Sequence, residues 1–315
     1  MMIAMGRYLI KRIFISILTL LVIVLIMFIL MNAMPGSPFT GKHLKADQLM
    51  VLKQKYGLDR PLLERYFRYL SCMIRGDFGV SYNIQKNMSI TRMLQVRLPL
   101  TIRIGLQAMV MGTILGLLLG ILSALKHGTF LDPLVSALSM LGSSIPSFVF
   151  ALGLMYFIAY KAGFLPLLYT MDAPGESTIL PSIALAMFPM ASIARLTRSE
   201  MISVLSSDYI LLARSKGVPE SGIIFRHALR NALVPVLTIM APMLVELITG
   251  SMVVENIFAV PGLGTLFVTA VQSNDYNVSI TIMFLYSAFY ISAMLIVDIL
   301  YGYVDPRIRL AKGRS

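Results

Sequence analysis

Six apolar stretches dominate the chain, near 13–33, 100–125, 134–160, 179–196, 236–256 and 278–302. Wound as helices at about 1.5 Å per residue, they approach the roughly 30 Å of a bilayer core. A backbone in hydrocarbon has no water to bond, so its N–H and C=O groups must be satisfied within a helix or a closed barrel. Barrel strands alternate apolar and polar residues. These runs are continuous, which selects the helix. The expectation is an all-α polytopic membrane protein of about six transmembrane helices, with residues 1–315 forming one transmembrane domain. Only 13% of the residues are charged and 57% are hydrophobic, against about 25% charged in soluble domains. Pro146, Pro181, Pro189 and Pro242 fall within or at the ends of these stretches, where membrane helices tolerate proline.

The net charge of +12 first raises nucleic acid as a partner. Cytoplasmic loops of membrane proteins collect Lys and Arg, which accounts for the excess, so no nucleic-acid partner is expected. With the N-terminus inside, the cytoplasmic segments hold Arg7, Lys11, Arg12, Lys126, Arg195, Arg198, Arg214, Lys216, Arg226, Arg230, Arg307, Arg309, Lys312 and Arg314. The two short external loops then hold only Lys161. The loop over 35–98 is also basic, but it is too long for its charge to govern orientation. Both N- and C-termini are therefore expected to be cytoplasmic. Arg7, Lys11 and Arg12 precede the apolar run 13–31 as they would in a signal peptide. That run exceeds the roughly 7–15 residues of a signal's apolar region, and no small-x-small site follows; it reads as an uncleaved first helix. The single cysteine, Cys72, excludes an internal disulfide and a multi-cysteine metal site. His43, His127 and His227 lie far apart, so neither a metal site nor a Ser-His hydrolase is expected.

Residues 35–98 read as a helical cap outside the membrane rather than as a linker. Asp47 can cap a helix ending at Gly57, and Asp59-Arg60-Pro61 starts another. Leu62, Leu63, Tyr66, Phe67, Leu70 and Ile74 follow at helical spacing. Arg60, Arg65 and Arg68 lie off that stripe and are candidate contacts for an external solute receptor; the cap lying on the membrane surface is the plainer reading, and the two are compatible. Residues 36–43 nearly match a phosphate-binding loop. His43 replaces the hydroxyl residue that would hold Mg²⁺, and Pro38 removes an N–H from a loop that works by donating them. No other segment resembles a nucleotide site.

The most informative polar stretch is 208–235, within a cytoplasmic loop at 197–235. The fourth span's helix is expected to run on through Arg198 and Glu200. Gly217 can then end a helix at positive φ, and Pro219 suits the first turn of the next. From Ile224 onward, Ile224, Phe225, Ala228, Leu229, Ala232 and Leu233 take one half of a helical wheel, and Arg226, His227, Arg230 and Asn231 the other. An interfacial helix with its cations among lipid headgroups explains the arginines. It does not explain the break, because a helix lying on lipid needs no elbow. An elbow projects residues 214–221 away from the bilayer, which suits insertion into a cleft on another protein.

Gly112, Gly116 and Gly120 recur every fourth residue in the second span, a flat stripe on which another backbone can pack closely. Glu246 lies near the middle of the fifth span, where a charge costs on the order of 2–3 kcal/mol. It is a candidate pore residue that attracts a cationic substrate terminus; a structural pair with Arg103, or protonation, is the alternative. Glu255 is expected at a rim or interface, and Asp298 near the inner end of the last span.

The 208–235 stretch is similar to the EAA motif of ABC-importer permeases in the version carried by peptide-type systems. Ala213 and Gly217 match its alanine and glycine, Asn231-Ala-Leu-Val-Pro235 resembles its closing stretch, and Leu211 and Leu212 replace the name-giving glutamate and first alanine. Met34-Pro-Gly-Ser-Pro38, Tyr56-Gly-Leu-Asp-Arg-Pro61, Arg75-Gly-Asp-Phe-Gly79, Arg97-Leu-Pro99, Glu255-Asn-Ile-Phe-Ala-Val-Pro-Gly-Leu-Gly264 and Asp305-Pro-Arg307 resemble the same family in order. The resemblance covers nearly the whole chain and is nearest to the first permease of oligopeptide and dipeptide importers; nickel chelates and glutathione use similar permeases. It implies the type I ABC-importer permease fold in a bacterial cytoplasmic (inner) membrane. It further implies a second homologous permease sharing the pore, two ATPase subunits and an external solute-binding protein delivering peptide. ATP and Mg would be bound in the partner subunits, with no cofactor and no catalysis on this chain. The implied ATPase contacts are Ala213, Arg214, Ser215, Lys216, Gly217, Val218, Pro219, Glu220 and Ser221, supported by Arg226, Arg230, Asn231 and Pro235. The competing readings are an ion-coupled carrier, for which no internal repeat is seen, and a membrane scaffold with no pore.

Overall fold

The computed structural model describes the backbone of residues 2–33, 50–51, 54 and 57–304, and side chains between 10 and 297 among these. Of the expected helix at 47–57, residues 50, 51 and 54 are described and are helical, and Gly57 follows at φ +65. The turn at 34–38, the near-match at 36–43, the motif at 305–307 and the C-terminal cations lie outside the described residues, as does the side chain of Asp298.

Among the described residues all regular structure is helical apart from one isolated bridge between Val80 and Ser89. The helices are α1 (Met2–Ala33), α2 (Leu62–Ile74), α3 (Ile90–Leu125), α4 (Leu131–Ser144), α5 (Ser147–Leu154, continued by a π-turn Met155–Lys161), α6 (Ile179–Leu205), α7 (Asp208–Ser215), α8 (Leu229–Gly250), α9 (Met252–Ile257), α10 (Leu263–Gln272) and α11 (Tyr276–Val304). Five helical segments are long and apolar enough to cross a bilayer: Ile10–Ala33, Ile90–Leu125, Glu176–Leu205, Glu220–Ile257 and Tyr276–Val297. The sixth expected span, 134–160, is instead two helices, Leu131–Ser144 and Ser147–Lys161, bent by 101°. The cause is local. Proline disfavours the helical region for the residue before it, and ahead of Pro146 Ile145 is extended at φ −84 and ψ 125. Counting the bent pair as one span makes six.

The chain divides into two compact units, residues 1–101 with 261–296, and 102–260 with 297–315. In the first, Ile90, Met93 and Leu94 of α3 pack with Leu263 and Leu266 of α10 and Val278 and Ile282 of α11. A second cluster joins Val24, Phe28 and Met31 of α1 to Tyr66 of α2 and Tyr276 and Ile280 of α11. The polar chain between α2 and α3 is pinned by Asp275, which has no exposed surface. Its Oδ2 accepts Ser81 Oγ at 2.5 Å and the backbone N–H groups of Tyr82 at 3.0 Å and Asn83 at 2.9 Å. A carboxylate buried this deeply is stable only when donors replace its water.

In the second unit the glycine stripe of α3 lies against the backbone of α6. A β-carbon on Gly112, Gly116 or Gly120 would stand 2.9, 2.8 or 2.6 Å from the carbonyl oxygens of Ala186, Met190 and Ala194. The partner positions on α6 also recur every fourth residue, and the side chains of Pro189, Ile193 and Thr197 press on the same stripe. The stripe is therefore consumed in packing within the chain.

Candidate functional site

The 208–235 stretch folds into the expected elbow. Helix α7 ends in a two-bond cap: the Gly217 N–H reaches the Arg214 carbonyl at 2.9 Å and the Val218 N–H reaches that of Ala213 at 3.2 Å. This pattern needs a left-handed residue after the helix, and Gly217 supplies it at φ +78. Pro219 follows in extended conformation at ψ 148 and leads into the turn Glu220–Gly222. Across the elbow, Arg214 Nε and Nη2 donate to the two carboxylate oxygens of Glu220 at 3.0 and 3.3 Å, a fork-to-fork pair. Asn231 Nδ2 donates to Tyr209 Oη at 2.6 Å. Ile210 and Ile223 are wholly buried and anchor the two arms; each contributes about 1.5–3 kcal/mol by leaving water. Leu211, Leu212, Ser215, Lys216 and Gly217 are left on the outside.

One expectation fails here. Phe225 was placed on the buried half of the second arm, yet it is 65% exposed, and Ile223 is inside instead. Residues Ile223–Ala228 form a π-turn, which shifts the helical register by about one residue. Ala228 and Ala232 still pack with Ala124 and Met201, and Ile224 and Leu229 lie against them. Arg226 and Arg230 are exposed and meet no carboxylate among the described residues.

Behind the elbow, at the end of α3 and the start of α4, lies a polar cluster that composition and spacing did not reveal. Asp132 is 5% exposed. Arg198 of α6 grips it through Nε to Oδ1 at 2.5 Å and Nη2 to Oδ2 at 2.8 Å. Ser123 Oγ donates to Oδ1 at 2.7 Å, and His127 Nδ1 lies 2.7 Å from Oδ2. A carboxylate only accepts, so Nδ1 carries the hydrogen. The available signal was an acid at the edge of an apolar run, which is costly unless paired.

Glu246 is exposed on α8 and forms no ion pair among the described residues. The alternative pairing with Arg103 is not made; the Arg103 guanidinium lies beside Gly175. Glu255, expected at a rim, is fully buried and accepts Ser251 Oγ at 2.8 Å.

The three candidate receptor arginines separate. Arg60 pairs with Glu64 at 2.5 Å on the surface. Arg65 and Arg68 line a 170 Å³ cleft beside α2. Arg65 is half-buried with its guanidinium over the Phe28 ring, 5.5 Å from the centroid. Burial draws its pKa down from the ordinary value, opposed by the phenols of Tyr82 and Tyr276. Next to it, Tyr69 Oη is hydrogen-bonded with Thr281 Oγ1 at 3.0 Å, and burial pushes its pKa up to about 12.

Membrane-length helices and a braced, basic elbow between two of them define a multi-pass membrane protein. The profile of the family described as binding-protein-dependent transport system inner membrane component matches residues 116–310, and that of the family's N-terminal region matches residues 5–105. The chain belongs to this family. It is similar to the dipeptide transport system permease proteins DppB of Lactococcus lactis subsp. cremoris, at 42% identity over 97% of this chain and 100% of the relative, and of Bacillus subtilis, at 41% over 98% and 99%. It is also similar to the oligopeptide transport system permease protein OppB of Salmonella typhimurium, at 40% identity over 97% and 100%. The chain is thus a transmembrane permease of an ABC importer, and partner ATPases and a binding protein are general to its family.

Proposed function

We propose that this protein is one of two homologous permeases sharing the pore of a bacterial peptide importer. The 208–235 elbow docks on one of two ATPase subunits, which bind Mg and hydrolyse ATP. Both termini and the elbow are cytoplasmic, the 35–98 segment is external, and an external binding protein delivers the peptide. The observation that carries the docking role is the elbow itself. It is held from within by Ile210 and Ile223 and braced by Arg214 and Glu220, while Leu211, Leu212 and Lys216 face outward. An interfacial lipid helix would bury those leucines on the same side as its other apolar residues; here they stand apart on a rigid projection that a protein cleft can grip. Full-length similarity to dipeptide and oligopeptide permeases supports peptide as the substrate. Glu246 faces the path and attracts the peptide's cationic N-terminus, a role favoured by an exposed carboxylate with no cation paired to it inside a span.

Purification of the tagged chain from its native membrane tests this reading. A second permease and two ATPases are expected to come with it, and Gly217→Val is expected to release the ATPases. A chain that purifies alone and moves solute in ATP-free vesicles overturns the proposal. Glu246→Gln is expected to lower peptide transport several-fold without lowering ATPase binding; wild-type transport removes the pore role.

A further inference from the structure

Among the described residues, the cleft beside α2 holds more positive charge than it balances. Its walls carry Arg65, Arg68 and a single acid, Asp77. The Asp77 Oδ1 accepts the Gly79 N–H at 2.9 Å, and neither arginine meets a carboxylate among the described residues. The two guanidiniums differ in setting: Arg65 is half-buried and Arg68 is exposed. Arg65 stacks on Phe28. The Arg68 Nη1 sits 3.7 Å from where a β-carbon on Gly57 would be, and Gly57 is left-handed at φ +65. The opening is therefore lined by side-chain-free backbone. Two forks on one cleft, neither paired with a carboxylate among the described residues, suit a carboxylate, which arginine binds through paired, charge-assisted hydrogen bonds.

Size and direction narrow the source of that carboxylate. At 170 Å³ the cleft is smaller than the roughly 300 Å³ at which small-molecule sites begin; it fits a single side chain. On α2, Leu63, Phe67 and Ile74 are exposed on one flank. Arg65, Arg68 and Cys72 stand on the opposite flank at helical spacing, with Tyr66 buried between the two. The apolar flank suits lipid. The cleft turns away from it, as a headgroup site would not.

We propose that the Arg65–Arg68 cleft receives an acidic side chain of the external binding protein, anchoring that partner to the segment between the first and second spans. This rests on the orientation and partner of the preceding section. Arg60, closed by Glu64, lies outside the anchor.

The intact complex in neutral-lipid nanodiscs tests the proposal, with the system's own peptide-loaded binding protein as the probe. Cys72, on the cleft wall, is the reporter, read by its rate of modification with a charged thiol reagent. The binding protein is expected to slow that reaction at least fivefold. Arg65→Gln with Arg68→Gln is expected to weaken its binding at least tenfold and abolish protection. The Lys pair, which keeps charge without the fork, falls between, and Lys86→Gln leaves both readouts unchanged. Wild-type affinity in the Gln pair overturns the cleft while leaving the permease reading intact. Failure of the binding protein to engage the wild-type complex overturns the partner reading, and the cleft with it. Protection of Cys72 by phosphatidylglycerol alone, lost in the Gln pair, assigns the cleft to a lipid phosphate and overturns a protein occupant.

Discussion

The carboxylates of this chain show how burial assigns roles. Asp132 and Asp275 are both withdrawn from water, and each accepts from several donors: an arginine fork, a hydroxyl and an imidazole for the first, a hydroxyl and peptide N–H groups, all on Oδ2, for the second. Glu246 is a carboxylate left exposed inside a span, which is why a transport role is proposed for it and a structural one for each of them. Removing the Arg198 fork leaves Asp132 buried without its strongest donor, the costly way to break an ion pair. Arg198→Ala is therefore expected to lower the unfolding temperature in detergent by several degrees, and Asp132→Asn with Arg198→Met to recover part of the loss. Equal melting of all three proteins would refute the grip. Asp132 and Arg198 stand 66 residues apart, and no local pattern announces their meeting. The Arg214 and Glu220 partners stand only six residues apart, and there the sequence at least put both on one projecting segment.

Among the elements, the interlocked rows of α3 and α6 leave the least room. An added β-carbon on Gly116 or Gly120 would stand 2.8 or 2.6 Å from a carbonyl oxygen, and that oxygen belongs to a helical backbone that cannot swing aside. Overpacking of this kind costs about 1–3 kcal/mol. Gly116→Val and Gly120→Val are expected to lower yield and melting temperature. Gly153→Ala, with nothing within 4 Å of its β-carbon, is expected to be neutral; similar melting of all three would contradict the close approach. Spans, glycine stripe and elbow were legible because each is written in local periodicity or in a residue with one conformational use, such as Gly217. The bend at Ile145–Pro146 and the π-turn at Ile223–Ala228 were not. Both alter direction or register inside runs whose composition stays apolar, and hydropathy cannot sense a turn of the backbone.

For the whole molecule, membrane orientation is the property on which the other roles depend, and charge asymmetry between loops predicts it. The chain's only cysteine makes the check direct. Cys72 is expected to react with an impermeant thiol reagent from outside intact cells. Lys216→Cys in a Cys72→Ser background is expected to react only in inverted vesicles, and the reverse pattern would invert the topology. The pinning of 81–84 by Asp275 also has a bearing on biogenesis. The donors and their acceptor are separated by more than 190 residues, 194 for Ser81 itself, so the N-terminal part of the protein leaves the ribosome long before its carboxylate is synthesised. Until then the N–H groups of 82–84 lack their acceptor, and the α3 face carrying Ile90 and Leu94 lacks α10 and α11 to cover it. A chain interrupted before Asp275 would insert several spans and still present an unfinished surface, the kind of lesion a membrane protease can recognise.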